Sequence, residues 1–107
     1  MKRFFLAALL FGAMVFSVAA AGPVVTVVNN TGYTIYYLFF SESADEMWGE
    51  DVLDEEVLVD GDSFQITLPS AGTWDFGAED EDGDSYAQYN QNIKRNTTIT
   101  FTLDDLE

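Results

Sequence analysis

From residue 22 onward, apolar and polar positions alternate with a period of two. Clusters of Asn, Asp, Gly, Pro and Ser break the alternation about every eight to twelve residues, which is the pattern of short strands joined by turns. The β-branched run at 24–28 predicts a first strand, and Asn29, Asn30, Thr31 and Gly32 a turn that tolerates positive φ. Residues 33–40 carry apolar side chains on both faces, Ile35, Tyr37 and Phe39 against Tyr36, Leu38 and Phe40. That predicts a central strand covered on both sides. Residues 41–54 are polar and acidic around Met47 and Trp48, a loop or one short helical turn. Strands are then predicted at 55–59, 63–68, 73–79, 85–93 and 97–103. In the fourth of these seven strands Phe64, Ile66 and Leu68 face inward. In the fifth, Trp74, Phe76 and Ala78 do so, and in the last, Ile99, Phe101 and Leu103. Residues 104–107 form an acidic tail expected to fray. The expectation is all-β: a single antiparallel β-sandwich of about seven strands, immunoglobulin-like or C2-like.

Residues 1–21 follow a different pattern. Lys2 and Arg3 precede an uncharged, mostly apolar run at 4–16, and small residues follow up to Ala21. This reads as a cleavable signal peptide cut after Ala21, with Ala20 as the alternative. The apolar run is shorter than the roughly 20 residues of a membrane span, which leaves an uncleaved anchor as the lesser reading. Residues 22–107 are then one periplasmic or secreted domain. The chain has no cysteine, so disulfides, thiol chemistry and a lipoprotein anchor are excluded.

Charge narrows the partners. Nineteen residues are acidic and four basic, and two of the basic ones lie in the leader. Residues 22–107 therefore carry Lys94 and Arg95 against nineteen acids, a net charge of −17. Phosphate binding needs Lys and Arg, so nucleic acid is not an expected partner, and anionic lipid is repelled. A cationic or neutral partner fits: a metal ion, a basic protein or a glycan. The same charge also serves solubility through self-repulsion.

The run from Asn29 to Ile35, the segment Trp48, Gly49, Glu50, Asp51, Val52, Leu53, and Trp74, Asp75, Phe76 with Asp80, Glu81, Asp82, Gly83 together resemble a group of small exported bacterial proteins with no established activity. The likeness covers nearly all of residues 22–107 and rests on modestly specific motifs. It implies export and a sandwich fold and carries no mechanism.

With no His and no Cys, the chain lacks the parts of Ser-His-Asp and Cys-His nucleophilic sites and the usual zinc ligands. A carboxylate pair could serve glycoside hydrolysis, but a domain this small seldom offers the cleft, and no enzyme is expected. A hard cation suits the acids better, because calcium takes six to eight oxygen ligands. Strand parity brings the 29–32 turn, the 60–62 turn, the 80–84 turn and Asp104-Asp105 to one end. Asp60, Asp62, Asp80, Asp82 and Asp84 are therefore the candidate calcium ligands, although Gly83 departs from the spacing of calcium-binding loops. The plainer alternative is that these Asp residues favour turns and fan into water.

Trp48 and Tyr86 are the candidate ligand-binding aromatics. Trp48 either tucks under its loop or forms a stacking platform. Tyr86 shares a strand face with Gln88, Asn90 and Asn92, either a glycan-binding row or a solvated surface. Asn29 and Asn96 fit the N-glycosylation pattern, though turn chemistry already accounts for both. The function expected is an exported binding or interaction module, with calcium dependence through the acidic rim as one form of it. The alternatives are a structural or surface protein whose acidity serves solubility, and a carbohydrate-binding module.

Overall fold

A computed structural model describes residues 22–107; the leader read at 1–21 lies outside the described residues. The described chain forms six strands: β1 (Val24–Asn29), β2 (Ile35–Glu42), β3 (Ser63–Thr67), β4 (Gly72–Asp80), β5 (Ser85–Ile93) and β6 (Thr97–Phe101). A single 3-10 turn, Leu103–Asp105, follows. The strands make two three-stranded sheets, ordered β3-β1-β6 and β2-β4-β5. All pairs are antiparallel except β1 with β6, which is parallel. The parallel pair departs from the all-antiparallel expectation. It arises because β6 leaves the β5–β6 turn running in the same direction as β1.

Alternation builds the core. Val25 and Val27 on β1, Ile66 on β3 and Ile99 and Phe101 on β6 are buried. They join Leu38 on β2, Trp74, Phe76 and Ala78 on β4, and Tyr86 and Ile93 on β5 in one hydrophobic cluster. The rings of Tyr86 and Phe101 meet edge-on across the two sheets, with centroids 6.4 Å apart, an arrangement that aromatic quadrupoles favour.

The strand expected at 55–59 does not form. Leu58 alone is buried there and makes an isolated bridge to Ile35, with both N–H···O distances 2.9 Å. Val57 and Val59 face solvent, and Asp54 holds a positive φ of 59°. One inward side chain is too little to fix a strand. β2 is also not central: it lies at a sheet edge, β4 occupies the middle, and Tyr36 and Tyr37 are exposed.

The strand directions do bring the acidic turns together. Backbone hydrogen bonds join Asn29 to Asp62 and to Gly61, and Glu81 to Thr34. Asn30 bonds to Phe101, and Glu107 to Ser85. The C-terminal residues do not hang free, because Thr102 and Asp105 cap the 3-10 turn reciprocally. Asn29 is fully buried, and its side chain bonds to Tyr33, Leu58 and Thr31. A satisfied, buried amide has no room for a glycan.

These placements predict unequal costs for two substitutions. Phe76→Ala should destabilise by about 3–5 kcal/mol, a buried-aromatic truncation, whereas Val57→Ala should stay within about 0.5 kcal/mol. Urea unfolding of the two variants checks this, and comparable losses would contradict the absence of a strand at 55–59.

Candidate functional site

Two places gather chemistry-bearing side chains: the acidic end and the outer face of the β2-β4-β5 sheet.

At the acidic end, Asp80 closes the core-facing row of β4 and is buried. Its Oδ1 accepts the backbone N–H of Asp82 at 2.9 Å and of Asp84 at 3.0 Å. Its Oδ2 accepts the Tyr86 hydroxyl at 2.8 Å. The backbone closes the same turn, with Asp80 N–H on the Asp84 carbonyl and Gly83 N–H on the Asp80 carbonyl. Gly83 supplies the positive φ the turn requires. Burial pushes the Asp80 carboxyl upward in pKa, but the bonds from Tyr86, Asp84, Asp82 and Gly83 outweigh it and hold the group below its ordinary value. Tyr86 moves the other way: burial, then its bond to the Asp80 carboxylate, raise the phenol to about 12.

Other rim acids also serve as acceptors for backbone donors. Asp60 takes the Gly32 N–H at 2.9 Å, and Glu81 takes the Thr34 N–H at 2.8 Å. Of the five candidate ligands, the carboxylates of Asp80, Asp82 and Asp84 come within 4.8 Å of one another, a group that could hold a metal ion. Asp60 and Asp62 sit at the same end without joining that group.

Tyr86, expected on a strand face open to ligand or solvent, lies in the core instead and is only 1% exposed. The cause is a bulge in β5. Trp74 pairs with Gln91, yet Phe76 pairs with Gln88, so β5 carries an extra residue opposite β4. Asn90 takes a φ of 58° there, and its N–H is held by Asp75 Oδ1 at 2.8 Å. The bulge changes the facing of the strand. Tyr86 and Ile93 are both buried although seven positions apart, and Tyr89 stands outward instead.

Tyr89 completes a row of rings on the outer face. Tyr37 and Phe39 on β2 are nearly parallel, with an interplanar angle of 10° and centroids 6.4 Å apart. Phe39 lies 6.3 Å from Trp48, and Trp48 stacks on Tyr89 at 6.0 Å. Trp48 belongs to the β2–β3 connection and folds back over the sheet at Gly77. A Cβ on Gly77 would sit 2.9, 3.0 and 3.2 Å from three indole carbons. The missing side chain is thus the bed on which Trp48 rests, a close approach that only Gly permits. Gly49 allows the approach in a second way, because a Cβ there would meet the Phe40 carbonyl at 2.7 Å. Asp51 anchors the loop, its Oδ1 accepting the N–H groups of Leu38 and Leu53. Trp48 remains 38% exposed, and Met47 beside it 80%.

No protein family and no curated protein matches the chain by sequence. A protein from Eubacterium rectale whose structure was determined by NMR is similar in fold, with a TM-score of 0.60 at 13% identity. The likeness covers 81% of this chain and 84% of that one. At that identity it shows the fold alone. No helix among the described residues is long and apolar enough to cross a membrane.

The Asp80–Tyr86 bond predicts an alkaline limit to stability. A phenol whose folded pKa lies above its unfolded value of about 10 contributes stability that is complete below pH 10. That contribution falls as pH rises toward the folded value of about 12. Tyr86→Phe should flatten this arm of the stability curve. It should also cost about 1–3 kcal/mol at neutral pH, by leaving a buried carboxylate oxygen without its donor. Chemical denaturation between pH 7 and 12 measures both, and an unchanged alkaline arm would contradict the assignment.

Proposed function

We propose that this chain is an exported, non-enzymatic binding module with an immunoglobulin-like or C2-like sandwich, and that it takes its partner on the outer face of the β2-β4-β5 sheet. The observation that carries this reading is the ring row Tyr37, Phe39, Trp48 and Tyr89. Aromatic surface buried in a core stabilises a fold, and aromatic surface left on an outer sheet face does not. Contiguous exposed apolar patches mark interaction sites, and Trp and Tyr supply large contact area with few rotors to order. The leader read at 1–21 supports a periplasmic or secreted location. The lack of His and Cys supports a role without nucleophilic catalysis.

Replacing Trp74 by Phe leaves Trp48 as the single indole. The Trp74→Phe protein, titrated with an Arg/Gly hexapeptide, a neutral oligosaccharide and an Asp/Gly hexapeptide, should give a saturable change in Trp48 emission with at least one of the three. Silence with all three overturns the reading.

A second reading rests on the acidic turn and is favoured by the convergence of Asp80, Asp82 and Asp84. Calcium is the cation whose oxygen preference and flexible geometry suit such carboxylates. Asp80 would contribute from its buried position, while the exposed Asp82 and Asp84 would close over the ion. Binding to the native state raises stability by RT ln(1 + [L]/Kd). Millimolar calcium should therefore raise the melting temperature by about 5 °C. Magnesium at equal ionic strength should not, and Asp82→Asn should remove the gain. Equal rises in both salts would mean charge screening alone and would overturn this reading.

A further inference from the structure

We infer that the occupant of the aromatic row is a basic peptide segment of a partner protein, extended and carrying Arg or Lys at alternate positions. This rests on the reading of the row as the partner-binding face and adds the chemistry of the ligand.

The first argument is the pattern of β4 beneath the rings. Its outward positions are Asp75, Gly77 and Glu79, the last pairing with Tyr37 across the sheet. Gly77 holds Trp48, so a carboxylate stands on each side of the indole's bed along the strand. Asp75 is engaged by the Ser43 hydroxyl and the Asn90 N–H. The Glu79 carboxylate has no hydrogen-bond or ion-pair partner among the described residues. At the far end of the row, Glu107 accepts the Tyr89 hydroxyl. Rings bordered by carboxylates suit a cation twice over, since the ring faces attract it by their quadrupole, most strongly at Trp, and the acids pair with it.

The second argument is what the protein lacks at that face. The basic residues among those described, Lys94 and Arg95, lie in the β5–β6 turn, at the end of β5 away from Ser85 and Glu79. At a net charge of −17 for residues 22–107, a basic partner is steered in and a second copy of this chain is repelled.

The third argument is spacing. Neighbouring ring centroids in the row are 6.0–6.4 Å apart. Side chains on one face of an extended chain repeat about every 6.8 Å. Tyr37 and Phe39 follow one another along β2, while Trp48, over Gly77, and Tyr89 continue the row across the sheet, so alternate cationic residues of an extended peptide advance at nearly the ring step along either arm. A neutral glycan would use the ring faces and leave the flanking charge without a counterpart.

Amide chemical-shift mapping with acetylated Arg-Gly-Arg-Gly-Arg amide tests this. Saturable shifts should concentrate at residues 37–39, 48, 75–79 and 87–89. Affinity should fall about five-fold or more in each of Glu79→Gln and Tyr37→Ser, with the remaining spectrum unchanged. Shifts confined to 60–62, 80–84 and 102–105 would mean general attraction to the acidic end and would overturn the inference. Unchanged affinity in both variants would overturn it too. A neutral oligosaccharide that titrates the row where the peptide does not would overturn the cationic occupant and leave the binding face standing. Failure of both probes would remove the face as well.

Discussion

A carboxylate taken out of water costs several kcal/mol unless donors replace its hydration, and Asp80 meets that constraint with neutral groups. Two backbone N–H groups bind one oxygen and a phenol binds the other. The same bonds define the β4–β5 hairpin. They set where β5 starts, and they hold Tyr86 in the core against Phe101 of the other sheet. One side chain thereby links the turn, the strand pairing and the contact between sheets. The arrangement also explains how so acidic an end can pack: Asp60, Glu81 and Asp105 act likewise as acceptors for backbone N–H groups that would otherwise lack partners.

Much of this fold is legible in the order of residues, and the failures have identifiable causes. Alternation places Trp74, Phe76, Ile66, Ile99 and Phe101 inward, where they are found, and the strand directions put the acidic turns at one end. The segment at 55–59 alternates as a strand does, but tertiary packing uses only Leu58. Tyr86 is misread because a period of two cannot be carried through a bulge. Counting forward from Tyr86 puts Gln88 inside and Tyr89 outside, whereas counting back from Ile93 puts Gln91 inside and Asn92 outside. Both phases coexist in β5. The available signal was the odd separation of two core-forming residues in one strand.

The aromatic row was half visible. The rings on 37 and 39 share a face in the sequence, and Trp48 stood out in its acidic loop. What joins them is Gly77, a glycine between two acids in the middle of a strand. Gly weakens a strand interior unless something needs its space. Here an indole fills the place of the missing side chain. Tyr89 could not be assigned to the row before the bulge was known. The loop contribution depends on tertiary folding, because Trp48 lies on the sheet within a connection that Asp51 ties to Leu38 and Leu53.

The parallel pairing of β1 with β6 has a consequence for the order of assembly. The hydrogen bond from Val24 to Asn96 spans 72 positions. β1 lies between β3 and β6 and finds its second neighbour only when the final strand arrives. Such distant pairings slow folding, because loop closure must be achieved before any contact rewards it. A nascent chain that stops short of residue 97 holds the second sheet complete in sequence while the first lacks one of its three strands. Closure of that sheet therefore waits on β6, because β1 has both of its neighbours only after the most distant strand of the described chain has been made.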